Sequence, residues 1–407
     1  MPNIQTFSSV KNPAYRMYFG GLIGHMAGIN MQMIARTLLV YRLTGSALIL
    51  GLMSLANALP MLLLSLFGGA IADRVQKKYI LTIGQASSAL VSFGVALVLT
   101  FSYLSAEREG SWWILIMASA LQGSIMGLMM PARQAIVPEI VGEDQIMNAM
   151  ALNNFGMNIF RLLSPALAGL LIDIIGFDAI YYLMAGLYFI SFIFTLFIPS
   201  TSKIVKRSSS ALADIKDGLK YIRYETHILL VLVFTLICIF LSMPFIFLLP
   251  IFTDDILMVG ATGMGVLVSV SGVGALFSSL VLASLPNKKR GKMMLMGGIM
   301  VGMALAIFAF SRLWYLSLIL IAFIGIGQTL YMTLGSTLIQ YYVSPTYRGR
   351  VMSILMMNFG LTGIGTFFAG MLSDNVGVQY TIGGFALVLV IIAFLAFIFI
   401  PKVRNLD

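Results

Sequence analysis

The sequence predicts an all-α integral membrane protein with twelve transmembrane helices arranged as two six-helix bundles. Three observations lead there. The chain is 59% hydrophobic and only 10% charged, with a mean hydropathy of +0.98, a balance that soluble domains do not have. A bilayer span takes about 20 mostly apolar residues, so a chain of 407 residues has room for on the order of twelve with short connections. The longest polar interruption, Ser200 to Thr226, falls almost at the middle and divides the apolar runs evenly.

In chain order the apolar runs place spans at 15–40, 46–69, 79–103, 112–137, 145–175, 178–199, 227–252, 261–284, 293–310, 314–340, 349–374 and 377–400. The first run, from Tyr15 past Ala35, is too long for the core of a cleavable signal and reads as a span. An even number of spans puts both termini on one side, and lysine and arginine say which. With the N-terminus inside, twenty of these bases fall in cytoplasmic segments, while the outer loops hold only Arg42, Arg108 and Arg312, and Arg36 and Arg161 stay within spans. The positive-inside rule then places both termini in the cytoplasm. This topology accounts for the net charge of +10 and leaves a nucleic-acid partner without support. Tyr103, Trp112 and Trp113 sit where an outer aromatic belt is expected. Cys238 is the single cysteine, so there is no intramolecular disulfide framework.

The domain division that follows is 1–199 for the first bundle, 200–226 for a cytoplasmic linker and 227–407 for the second bundle. In the linker Leu212, Ile215, Leu219 and Ile222 recur at helical spacing beside Lys216, Lys220 and Arg223, after the capping serines Ser208 to Ser210. That pattern predicts an amphipathic helix lying on the cytoplasmic membrane surface.

A dense charged turn, GGAIADRVQKKYIL from Gly68 to Leu81, interrupts the apolar runs. Asp73, Arg74, Lys77 and Lys78 cannot sit in hydrocarbon and mark a membrane surface; Asp73 also suits the N-terminal dipole of a helix beginning near Lys77. The halves repeat one another. AGLLIDIIG at Ala168 to Gly176 matches AGMLSDNVG at Ala369 to Gly377, so Asp173 corresponds to Asp374; the turn has a counterpart in NKKRGK at Asn287 to Lys292, where Asn287 replaces the acid. Parallel six-helix repeats about a site near the bilayer midplane are the plan of a secondary transporter.

The turn resembles the signature loop of the major facilitator superfamily. YRLTGS at Tyr41 to Ser46, PARQAIVPEIV at Pro131 to Val141 and RGRVMS at Arg348 to Ser353 are similar to its exporter branch, which contains the enterobactin exporter and the macrolide efflux proteins. The resemblance covers nearly the whole chain and implies the major facilitator fold, alternating access and efflux. It also implies a cytoplasmic latch of Gly69, Asp73, Arg74, Lys77 and Lys78, in which Asp73 pairs with Arg133 or with helix ends of the other half. Antiporters of the superfamily commonly carry an arginine three residues before a Gln-Gly pair in the fourth span; here Ser119 holds that place ahead of Gln122 and Gly123.

Intramembrane polar residues are costly and usually line a cavity or pair with one another. His25, Gly28, Gln32 and Arg36 are spaced to share one face of the first span. His25, close to the midplane, is the first candidate for proton coupling because imidazole titrates near physiological pH; the alternative is a neutral histidine bonded to a neighbouring helix. Asn154, Asn158, Arg161 and Pro165 share a face of the fifth span, where Arg161 either contacts an anionic part of the substrate or is a strut between helices. Gln122, Gln328, Tyr331 and Asn358 complete the cavity candidates, with packing as their alternative.

All fifteen acids fall in loops or near span ends, which disfavours a deep site for a multiply cationic compound. The 28 methionines and 28 phenylalanines suit a plastic apolar cavity. With two histidines there is no HExxH metal site, and no Walker loop or GxSxG elbow occurs, so no enzyme, cofactor or metal is expected. The function expected is proton-coupled efflux of small amphiphilic compounds by a monomer in the lipid bilayer, with a lipid flippase of the same fold or a non-transporting sensor as alternatives.

Overall fold

A computed structural model describes residues 8–200, 211–285 and 288–406, and no strand occurs among them. The helices are α1 (Pro13–Thr44), α2 (Ala47–Arg74), α3 (Lys77–Thr100), α4 (Trp113–Ile140) and α5 (Ile146–Leu196), then α6 (Ala211–Tyr224), α7 (Thr226–Ser242), and two short turns α8 (Pro244–Phe247) and α9 (Leu249–Ile251). A π-helical turn at Phe252–Ile256 leads to α10 (Gly260–Ser284), α11 (Arg290–Phe310), α12 (Trp314–Tyr342), α13 (Arg348–Val376), α14 (Val378–Phe399) and α15 (Pro401–Arg404).

Helix ends follow from local chemistry. Asn12 opens α1: its side-chain oxygen accepts from the amides of Ala14 at 2.9 Å and Tyr15 at 3.4 Å, ahead of a proline whose missing N–H is not needed there. Gly45, at φ +61°, supplies the left-handed residue that closes α1 and allows α2 to start two residues later.

Ten helices among the described residues are long and apolar enough to cross a membrane. α1 is not one of them, because His25, Asn30, Gln32 and Arg36 dilute its apolar run. α5 counts once although it is 51 residues long, about 76 Å at the helical rise and far more than one bilayer. Gly176, at φ 83° and ψ 175°, breaks it into two arms at the join expected between the fifth and sixth spans. With α1 and both arms of α5, twelve segments match the twelve apolar runs. The seventh run, expected as one helix over 227–252, is interrupted after Ser242, where Pro244 and Pro250 each remove a backbone donor.

By contacts the chain forms two compact units, Met1–Leu43 with Leu59–Ser208 and Thr44–Ala58 with Ser209–Asp407, so α2 is divided between them. In the first unit α1 lies along the second arm of α5 on the stripe Gly20, Gly24 and Gly28. A Cβ at Gly24 would stand 2.9 Å from the Leu187 carbonyl oxygen, and one at Gly28 3.0 Å from the Tyr188 ring. In the second unit α10 crosses α12 where Gly274 meets the Ala322 backbone and Gly325 meets that of Ser271, leaving no room for a side chain at either glycine.

The charged turn differs from expectation in one respect. α2 continues to Arg74, so Asp73 falls in the last turn of α2 and not at the start of α3, whose first residue Lys77 follows Gln76; the Asp73 side chain lies outside the described residues. The linker helix forms over Ala211–Tyr224, while Ser208 to Ser210 and the side chains of Leu212 and Ile215 lie outside the described residues. Its anchors are to protein as well. Tyr221 stacks on Tyr347 at 4.3 Å, its hydroxyl accepts from the Ser344 amide at 3.2 Å, and Asp217 lies 3.6 Å from Arg350 at the start of α13.

Candidate functional site

The polar residues of α1 converge on one interior. His25, Gly28, Gln32 and Arg36 are all buried on a common face. His25 is fully enclosed; its Nδ1 lies 2.9 Å from Gln85 Oε1 on α3, and its ring meets the edge of Tyr188 at 5.5 Å and 60°. Tyr188, on the second arm of α5, donates its hydroxyl to Gln32 Oε1 at 3.0 Å. Three helices thus meet through two side-chain bonds, and His25 Nε2 is left without a hydrogen-bond partner. Arg36, one turn beyond Gln32, is 8% exposed; its Nε has no partner, and its electrostatic neighbours are the phenols of Tyr181 and Tyr188.

Tyr188 carries no signal at sequence level, since it is one aromatic among many in an apolar run. Gln85 had one: Thr82, Gln85, Ser88 and Ser92 recur at three- and four-residue spacing along α3, and all four are buried. Gln122 of α4 donates to Ser88 Oγ at 3.3 Å, while its Oε1 is unsatisfied. Replacing Tyr188 by phenylalanine should lower stability by about 1 kcal/mol, because Gln32 then loses a buried donor. Thermal melting of the purified protein measures this, and an unchanged midpoint would show that the bond contributes nothing.

Asn154, Asn158 and Arg161 are exposed along α5, while Pro165 is buried. The asparagine turned inward is the neighbouring Asn153, which accepts from Tyr15 OH at 3.0 Å. In the second unit Gln328, Tyr331 and Asn358 are buried, with Tyr331 OH 3.3 Å from Ser242 Oγ; Gln328 Nε2 and Asn358 Nδ2 have no hydrogen-bond partner.

Of the latch residues, Lys77 pairs with Glu139 at the end of α4, Arg74 is exposed, and Gly69 has open space about it. Arg133 lies two turns inside α4, because the apolar helix runs on to Ile140. Its Nη2 is buried without a partner, and it acts electrostatically on Tyr18, His25 and Tyr188.

Asp374, at the end of α13, caps the start of α2 within the second unit. Its carboxylate accepts from Ser46 Oγ at 2.7 Å, the Ala47 amide at 2.8 Å and the Leu48 amide at 3.2 Å. Free amides at a helix N-terminus and the positive end of its dipole both favour an anion there. Below this cap the helices touch through glycine: Gly370 against Ala47, Gly51 against Thr366 and Phe367, and Gly363 against Ser54 and Leu55.

Among the described residues no group of three His, Cys, Asp or Glu could hold a metal ion. A family model described as transmembrane secretion effector matches residues 4–407. The staphyloferrin A transporter of Staphylococcus aureus is 25% identical over 371 residues, covering 90% of this chain and 89% of that protein. The multidrug efflux pump Tap of Mycolicibacterium fortuitum is 24% identical over 395 residues, covering 94% of each. Among solved structures a D-xylose–proton symporter superposes with a TM-score of 0.76 at 12% identity, covering 96% of this chain and 98% of that one. The chain belongs to the transmembrane secretion effector family of the major facilitator superfamily and is a multi-pass membrane transporter.

Proposed function

We propose that this transporter exports small amphiphilic molecules across the plasma membrane in exchange for protons, as a monomer cycling between inward- and outward-open states. In this reading residues 1–199 and 227–407 are the two moving bundles, 200–226 is the linker between them, and both termini are cytoplasmic. Direction and substrate class rest on the likeness to a multidrug efflux pump and a staphyloferrin A transporter.

The observation that carries the cycle is the Asp374 cap on α2. Three hydrogen bonds to one carboxylate, above a contact made largely of glycine and backbone, hold firmly when seated and separate without disturbing a core. Such a contact suits a gate. His25 is the group we assign to proton coupling: its Nδ1 is fixed by Gln85, and its Nε2 is uncommitted.

The test uses proteoliposomes with an imposed pH gradient, a pH-sensitive dye inside, and amphiphilic compounds added singly. Export by antiport gives a compound-dependent proton flux in the wild type and none in His25→Gln. A wild type that moves compounds without protons overturns the coupling, and one that moves only labelled lipid between leaflets makes the protein a flippase.

A further inference from the structure

Two guanidinium groups are buried in the first unit where no acid among the described side chains pairs with them. α1 and α3 contain no aspartate or glutamate, the acid of α4, Glu139, is paired with Lys77, and the side chain of Asp73, the acid of α2, lies outside the described residues. Asp173 and Asp178 of α5 flank the Gly176 break, and both side chains are exposed, Asp178 three residues along the chain from Tyr181 and ten from Tyr188. The electrostatic neighbours of Arg36 are Tyr181 and Tyr188, and those of Arg133 are Tyr18, His25 and Tyr188. None of them is an acid. Arg36 is more than nine-tenths buried, and Arg36 Nε and Arg133 Nη2 point at nothing that accepts a hydrogen bond.

Taking a guanidinium out of water costs several kcal/mol unless an opposite charge and acceptors meet it. Among the described residues nothing on the surrounding helices supplies the charge. The planar fork of arginine matches a carboxylate or a phosphate with two parallel bonds, and the Tyr181 hydroxyl beside it can donate to the same oxygens. Tyr188 acts electrostatically on both arginines, with its ring on Gly28 and its hydroxyl on Gln32.

We infer that the first bundle holds a binding site for the oxyanion of the transported amphiphile, with Arg36 as its primary ligand, Tyr181 as a donor beside it, and Arg133 supplying a second positive charge. The inference deepens the export reading and rests on it for the word transported; the binding itself does not. It makes the substrate an amphiphile bearing a carboxylate or a phosphate.

The experiment measures binding and transport separately on the full chain in lipid nanodiscs and in liposomes. The binding probes are 1-naphthaleneacetate, its neutral amide 1-naphthaleneacetamide, and lysophosphatidate. Either anion should raise the thermal midpoint in a concentration-dependent way while the amide leaves it unchanged, and Arg36→Gln should weaken anion binding at least tenfold. A shift from naphthaleneacetate identifies a soluble carboxylate as the source, and a shift from lysophosphatidate alone identifies a lipid headgroup. Equal shifts from the acid and the amide, or an anion shift undiminished in a folded Arg36→Gln, overturn the site. If Arg36→Gln does not fold, Arg133→Gln and the wild-type acid–amide comparison decide. Anion-selective binding without any flux in liposomes upholds the site and defeats export; flux indifferent to substrate charge upholds export and defeats the site.

Discussion

Replacing Asp374 with asparagine is expected to open the contact between α2 and α13. The carboxylate takes three hydrogen bonds from Ser46, Ala47 and Leu48 and sits on the positive end of α2. A charge-assisted bond of this kind is worth about 1.5–3 kcal/mol, and each 1.4 kcal/mol shifts an equilibrium tenfold. The closed population should therefore fall by about ten- to a hundredfold relative to the open one. Ser54 reports it: it is 2% exposed on α2 and its backbone faces Gly363 of α13. In a Cys238→Ser background, a cysteine introduced by Ser54→Cys should react with a membrane-impermeant maleimide at least tenfold faster once Asp374 is asparagine. An unchanged labelling rate would mean the carboxylate does not hold the gate.

The second large effect is on folding. Gly325→Leu puts a branched side chain where α12 touches the Ser271 backbone of α10. The obstacle is backbone, which cannot rotate away, so the helices must separate along a contact that has no water-driven hydrophobic term to restore it. Overpacking of this kind costs about 1–3 kcal/mol and occasionally more. The expected result is a lowered thermal midpoint and loss of the monodisperse peak in size-exclusion chromatography. Gly69→Leu, at a glycine with open space around it, should leave both unchanged. Equal behaviour of the two variants would show that the α10–α12 crossing is not tightly packed.

Much of the fold was legible because a bilayer imposes its rules on sequence directly. Apolar run length sets the spans, and the polar break at the middle of the chain sets the division into halves. Where the chain departs from these runs, the cause is local backbone chemistry: Pro244 and Pro250 cut the seventh span, and Gly176 joins two spans through one break. The site was legible on one side only. Spacing put His25, Gln32 and Arg36 on a shared face, but could not say what that face meets.

Sequence by itself determined that the chain is a helical membrane protein with twelve spans and a polar face on α1, since hydropathy and helical period are properties of consecutive residues. It also singled out Asp374 through the repeat with Asp173. Only tertiary structure decided that Gln85 and Tyr188 are the partners of that face and that Asp374 caps α2, 328 residues from Ser46. Those pairings depend on which helices cross and at what height. Packing across distant segments fixes that, and no period within a single helix encodes it.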